Sequence, residues 1–358
     1  MAWAFAAAAA LRAEHAPADP AAPVACAPMD GHAFVCGAER PEDVVRIPDT
    51  RWLVFSGFSA GAGLKLVDTR SRTMRLWYTG APAQLEHDER QFAGCPSPPD
   101  PALFNAQGLT LRSESETIHR LYVANHGGRE SVEIFRIDSS RDEPALRWSG
   151  CVLMPEATPA NSVATYSDGT ILASVLTRPG TSITDFVRGQ STGGVYERPP
   201  GASAFRLLPG TELPGNNGIE TAPDDREFYV VAFGWRAVVV FSRADTSRPR
   251  RHVTAPGFMP DNIHWDGHRL ILAGMQHDEP ACGGTRKIVN GSADGMTCHR
   301  GYVVAELNPR SLEFTIVAYA EPNPQFNGVS AARIVGSELW LGAYQGDRIA
   351  VRSLPGTQ

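Results

Sequence analysis

The chain has 358 residues, 42% apolar and 20% charged, the make-up of a foldable globular protein rather than a disordered one. A formal charge of -6 with few basic clusters leaves no footprint for a phosphate backbone. That excludes nucleic acid as a partner and favours a small uncharged or cationic ligand. No apolar run is long enough to cross a bilayer, so no transmembrane helix is expected.

Residues 1–39 read as a signal-like or linker segment ahead of a single domain over 40–358. "MAWAFAAAAALRAEHAPADPAAPVACAPM" joins a short apolar block to a Pro/Ala-rich stretch, as a secretory signal ending near an A-x-A-like site does. A retained anchor or a plain disordered terminus are the other readings. A signal implies a secreted or periplasmic protein; without it the protein is cytoplasmic. The six cysteines fall as Cys26 and Cys36, Cys95 and Cys151, Cys282 and Cys298, with no C-x-x-C spacing. Neighbour pairing is the simplest of about fifteen disulfide arrangements, and reduced buried thiols are the alternative.

Beyond the leader, short β-rich runs bounded by Gly, Pro, Asp and Asn replace any helical periodicity. In chain order the runs "RWLVFSGF", "RLYVANH", "TILASVL", "EFYVVAFG", "RLILAGM" and "ELWLGAY" share a polar start and an apolar body. Each follows another short run: "EDVVRIPD", "NAQGLTLRS", "NSVATYSDG", "NGIETAPDD", "DNIHWDG" and "NGVSAARIVG". Each precedes a third: "GLKLVDT", "SVEIFRID", "GGVYERP", "AVVVFSR", "GYVVAELN" and "RIAVRSL". A unit that returns every 45 to 65 residues or so predicts an all-β, six-bladed propeller with four-stranded blades.

In such a fold the first strand of every unit lines the central channel, so residues at its start gather at one mouth. These are Glu42, Asn105, Asn161, Asn217, Asp261 and Asn327. Turns carrying Phe58, His126, Trp235, His277 and Tyr344 lie on the same face and are expected to wall a substrate pocket. Longer insertions at "TRPGTSITDFVRGQSTGG" and "QHDEPACGGTRKIVNGSADGMTCHRG" join them, and Cys282 with Cys298 would staple the second. Two carboxylates with several amides make an oxygen-only set, which suits a hard cation such as Ca²⁺ at a central metal site. Asn and Asp at strand entries are also ordinary turn formers. A serine nucleophile is not indicated, because no G-x-S-x-G elbow is present.

These residues resemble the paraoxonase/arylesterase family, calcium-dependent six-bladed propellers related to the gluconolactonase/senescence-marker-protein superfamily. The likeness is strongest over "FNAQGLTL" with "LYVANHGGRESVEIFRID" and extends through "PGNNGIETAPDDREFYVV", "PDNIHWDGHRLILAG" and "GVSAARIVGSELWLGAY". It implies one catalytic Ca²⁺ held by Glu42, Asn161, Asn217, Asp261 and Asn262, with His126 matching the second histidine of the family's catalytic pair. Gln107 stands where the first histidine belongs, and glutamine is no base at neutral pH. Water activation then falls to Asp261 or to His126. The family's second, structural calcium would need Asp43 and an acid where this chain has Ser162. Its chain-end disulfide has no partner here, since no cysteine follows Cys298. The resemblance implies a calcium-dependent lactonase or arylesterase acting on small lactones or esters. A metal-dependent lyase or isomerase, and a noncatalytic ligand-binding propeller, are the competing readings.

Overall fold

The computed structural model describes residues 26–354. The signal-like stretch up to residue 25 lies outside the described residues. Six four-stranded antiparallel sheets follow one another around an axis, almost without helix. The innermost strands are Val44–Arg46, Ala106–Ser113, Ser162–Thr165, Asn216–Thr221, Phe258–Asp266 and Val329–Val335. All six run from one mouth of the channel to the other.

The burial of each strand follows its place in the blade. Second strands such as Glu227–Ala232 and Trp52–Ser56 are buried on both faces, which is why they read as continuous apolar runs. Outer strands such as Arg251–Thr254 alternate between half-buried and exposed. The hydrophobic clusters lie between successive blades. One joins Val44, Leu53 and Phe55 of the first blade to Trp340, Ile349 and Val351 of the sixth, so the ring closes through apolar contact.

Closure has a second element. The sixth blade takes its outer strand from Ala33–Cys36, which pairs with Arg348–Ser353 in the register Ala33↔Val351 to Cys36↔Arg348. Four residues of the stretch read as leader or linker thus complete a blade. Ala33–Cys36 is thereby held to Arg348–Ser353 by backbone hydrogen bonds, and no disulfide joins the two among the described residues. Disulfides join Cys26 to Cys36, Cys95 to Cys151 and Cys282 to Cys298, the neighbour pairing. No helix is long and apolar enough to cross a membrane among the described residues.

Near the axis the inner strands approach to backbone contact. A Cβ at Gly108 would lie 2.5 Å from Ser162 Cα, and one at Gly218 would lie 2.5 Å from the Asp261 carbonyl oxygen. Glycine is therefore required after Gln107 and after Asn217 by close approach, not by backbone dihedral.

Candidate functional site

At the mouth where the inner strands begin is a cavity of about 290 Å³. Glu42, Gln107, Asn161, Asn217 and Asp261 line its floor. They reach it by two routes. In the second, fourth, fifth and sixth blades the inner ladder shifts register, between Ala106/Leu109, Asn216/Ile219, Pro260/Ile263 and Val329/Ala331. A bulge re-aims side chains out of the pleat, and Gln107, Asn217 and Asp261 sit in three of these. In the first and third blades Glu42 and Asn161 stand just ahead of the strand, Asn161 with its amide bonded to the Ser174 carbonyl at 2.7 Å.

The floor is rich in acceptors without donors. Glu42 Oε2, Asn161 Oδ1, Asn217 Oδ1 and Asn262 Oδ1 are buried and have no hydrogen-bond partner. Each such oxygen costs about 1–3 kcal/mol while unmet. Asn262 holds Glu42 in place, its Nδ2 donating to Glu42 Oε1 at 3.0 Å and to the Glu42 carbonyl at 3.3 Å. Burial, then the charges of Asp43 and Asp261, push the Glu42 carboxyl well above its ordinary range. Burial also raises Asp261 to about 7, with Asn217's side chain opposing and Asp43 adding. The unmet oxygens and the neighbouring Asp261 carboxylate are of the kind a hard cation takes, so Glu42, Asn161, Asn217, Asp261 and Asn262 could hold one. No group of three or more His, Cys, Asp or Glu poised for a metal occurs among the described residues, because amides make up most of this set.

Other expected members of the ring are used elsewhere. Asn327 accepts from the Arg300 amide at 3.1 Å and donates to Gln345 at 2.7 Å, tying two loops together. Asn105 does not line the cavity: its amide donates to Asn125 Oδ1 at 3.3 Å while its own Oδ1 is buried without a partner, and Gln107 lines the floor from the second blade. His126 stands behind the cavity: Nε2 bonds Gln107 Oε1 at 2.6 Å, Nδ1 bonds Glu130 at 2.7 Å, and the ring meets Phe58 edge-on. It reaches the site only through Gln107 and Phe58.

Phe58 and Tyr344 line the cavity as expected, but Trp235 and His277 do not. Trp235 ends the turn Phe233–Trp235 and is 45% exposed, while Phe233 at the turn's start faces inward. His277 has its amide bonded to the Gly257 carbonyl and its own carbonyl bonded by Arg300, which holds it outside the wall. Leu176, Ile183, Phe186, Met296 and Arg286, none of them singled out by the sequence, complete the lining. All but Leu176, which ends the run before the first insertion, come from the two insertions, which clasp each other: Ala293 N donates to Thr184 Oγ1 at 2.9 Å, on the short helix Ile183–Val187. Phe186, Phe233 and Met296 form an apolar cluster of their own with Met259 and Met275.

Below the floor the channel is plugged by charge. Asp43 accepts from the Leu109 amide and from His264 Nε2, each at 2.7 Å, and Glu220 lies 3.8 Å behind His264 Nδ1. Burial alone would lower the His264 value, but Asp43's charge and hydrogen bond, with Glu220, prevail and raise it. The expected partner of a second ion thus spends its oxygens on protein donors. A larger hollow of about 480 Å³ opens at the opposite mouth, lined in part by His264, Glu220 and Arg333.

No protein-family model and no curated protein sequence matches the chain. Solved structures do share its fold. A luciferin-regenerating enzyme superposes with a TM-score of 0.52 at 12% identity, over 90% of this chain and 94% of the other. A candidate gluconolactonase superposes with a TM-score of 0.51 at 12% identity, over 91% and 94%. Regucalcin of Agrobacterium tumefaciens, a calcium-binding protein, aligns at 0.49 and 12% over 90% and 93%. Likeness at such identity concerns the fold, and what is done at the site must be argued from the site.

Proposed function

We propose that the chain is a calcium-dependent hydrolase of small lactones or esters, exported to an oxidising compartment where its three disulfides persist. The observation that carries the proposal is the set of unmet buried oxygens of Glu42, Asn161 and Asn217, three residues that line one small cavity, with that of Asn262 beside Glu42. A calcium ion held by Glu42, Asn161, Asn217, Asp261 and Asn262 would polarise the substrate carbonyl and stabilise the negative charge that water attack creates on it.

The chain's own residues supply the rest. Asp261 lies at the cavity surface, so its carboxylate is placed to take the proton of the attacking water and return it to the departing alkoxide. Gln107 positions rather than abstracts: with Oε1 engaged by His126, its amide nitrogen is left to donate to bound substrate. Glu130 and Phe58 hold His126 from two sides, fixing that carboxamide. The apolar walls exclude water from all but the floor and select the acyl or aryl part.

Among the described residues no histidine lines the cavity, which favours a second reading, a lyase or isomerase on the same floor. Turnover in ¹⁸O-labelled water separates the two. Hydrolysis places solvent oxygen in the product acid; its absence there refutes the hydrolase. Exhaustive chelation should abolish turnover of a lactone panel and added Ca²⁺ should restore it, whereas full activity after chelation refutes the metal's role.

A further inference from the structure

We propose that Arg286 is a carboxylate-reading subsite, so that the preferred substrate is an ester or lactone carrying a carboxylate on the part remote from the reacting carbonyl. This rests on the hydrolase reading for the reaction, but not for the binding. Arg286 lies on the insertion closed by Cys282–Cys298 and lines the same cavity as Glu42 and Asp261. Its Nε donates to the Asp294 carbonyl at 2.8 Å, and its guanidinium sits 5.8 Å from the centre of the Phe186 ring. It forms no ion pair among the described residues, and neither terminal nitrogen has a hydrogen-bond partner there. Arg129 shows the contrast, with Nε and Nη2 both donating to Glu133.

A half-buried guanidinium against aromatic and aliphatic walls is desolvated, and burial lowers its proton affinity although Tyr344 and Asp294 oppose it. Nε anchored to a backbone carbonyl fixes the plane and leaves the terminal fork free, the geometry that meets a carboxylate. Among the described residues Arg286 is the only cationic side chain lining the cavity. One guanidinium balances a monoanion, whereas a phosphate dianion would carry surplus charge toward the acidic floor. The net charge of the chain suggests an uncharged or cationic ligand; the local charge of the wall points the other way.

Calorimetric titration of the intact protein with benzoate and with benzamide tests the subsite without turnover. Wild type should bind benzoate tighter than benzamide by about 10- to 100-fold, the worth of a charge-assisted pair. Arg286→Met should erase that preference, Arg286→Lys should keep part of it, and unchanged benzamide binding in both shows an intact cavity. Equal binding of the two probes by wild type, no binding of either, or benzoate affinity untouched by Arg286→Met overturns the proposal. The last outcome places the carboxylate on the floor. In kinetics, 4-acetoxybenzoate should exceed its methyl ester in kcat/KM by a similar factor. Charge discrimination in binding with no ester turned over would sink the hydrolase and leave the subsite standing.

Discussion

Replacing Asp261 with Asn should flatten the pH dependence of stability in metal-free protein. Burial first, with Asp43's charge adding and Asn217 opposing, holds the Asp261 carboxyl at about 7 against an ordinary 3.8. Between those values the folded chain keeps a proton that the unfolded chain has lost. Stability from this group is therefore complete below the unfolded value and lost as pH rises through the folded one. At 1.36 kcal/mol per unit the full swing is about 4 kcal/mol, of which roughly 3 falls between pH 5 and pH 8. Glu42 is raised for related reasons, burial before the charges of Asp43 and Asp261, and loses stability in the same direction. His264, raised against burial by Asp43 and Glu220, does so as well.

Asp261→Asn removes its own share and part of Glu42's, because Asp261 is one of the charges acting there. Urea unfolding in EDTA at pH 5, 6, 7 and 8 reads the slope directly. Wild type should lose roughly 3 kcal/mol or more across that range, and Asp261→Asn markedly less. Saturating Ca²⁺ should offset most of the wild-type trend, since a metal that needs ionised carboxylates stabilises more as pH rises, by about 3 kcal/mol at a hundredfold excess over Kd. Equal slopes for the two proteins in EDTA would refute the placement of Asp261 in a dry acidic floor.

Two further outcomes follow from backbone approach and from the cap. Gly218→Ala puts a methyl 2.5 Å from the Asp261 carbonyl oxygen and 2.9 Å from Asn262 Cα, both backbone atoms that cannot rotate aside. It should lower stability by about 1–3 kcal/mol in urea and abolish turnover, and an unaffected variant would mean that the strands can part. Cys282→Ser with Cys298→Ser opens a loop of 16 residues that carries Arg286 and Met296. The loss should be up to about 3 kcal/mol of loop ordering and should raise KM more than it lowers kcat; an unchanged KM would exclude the cap from binding.

The blades are legible because middle strands are buried on both faces and print unbroken apolar runs, as in "EFYVVAFG". Outer strands are not. Arg206–Leu207 has two residues, Thr73–Leu76 is mostly exposed, and Ala33–Cys36 finds its partner some 300 residues away, so none leaves a periodic signal. The walls are hidden for a related reason. Phe186, Arg286 and Met296 face the cavity through contacts such as Ala293 N to Thr184 Oγ1, which join segments far apart in the chain. Trp235 misleads because composition marks a large aromatic but not which end of a three-residue turn faces inward. Arg236, held at a φ of 53° by the close of that turn, sets the direction.

The floor is readable for a reason that also explains its cost. A side chain aimed along the axis must leave the pleat, so the inner ladders shift register beside Gln107, Asn217 and Asp261, all at the same mouth. The next strand then lies so close that glycine must follow Gln107 and Asn217. The Asn-Gly step thus records two demands at once: an oxygen turned inward and a backbone with no room for a methyl. Neither demand improves the fold alone, since the bulge forfeits ladder hydrogen bonds and the buried oxygen goes unmet. Such a step persists where something outside the chain supplies the missing positive charge, and that makes the paired cost itself the argument for a cation at the floor.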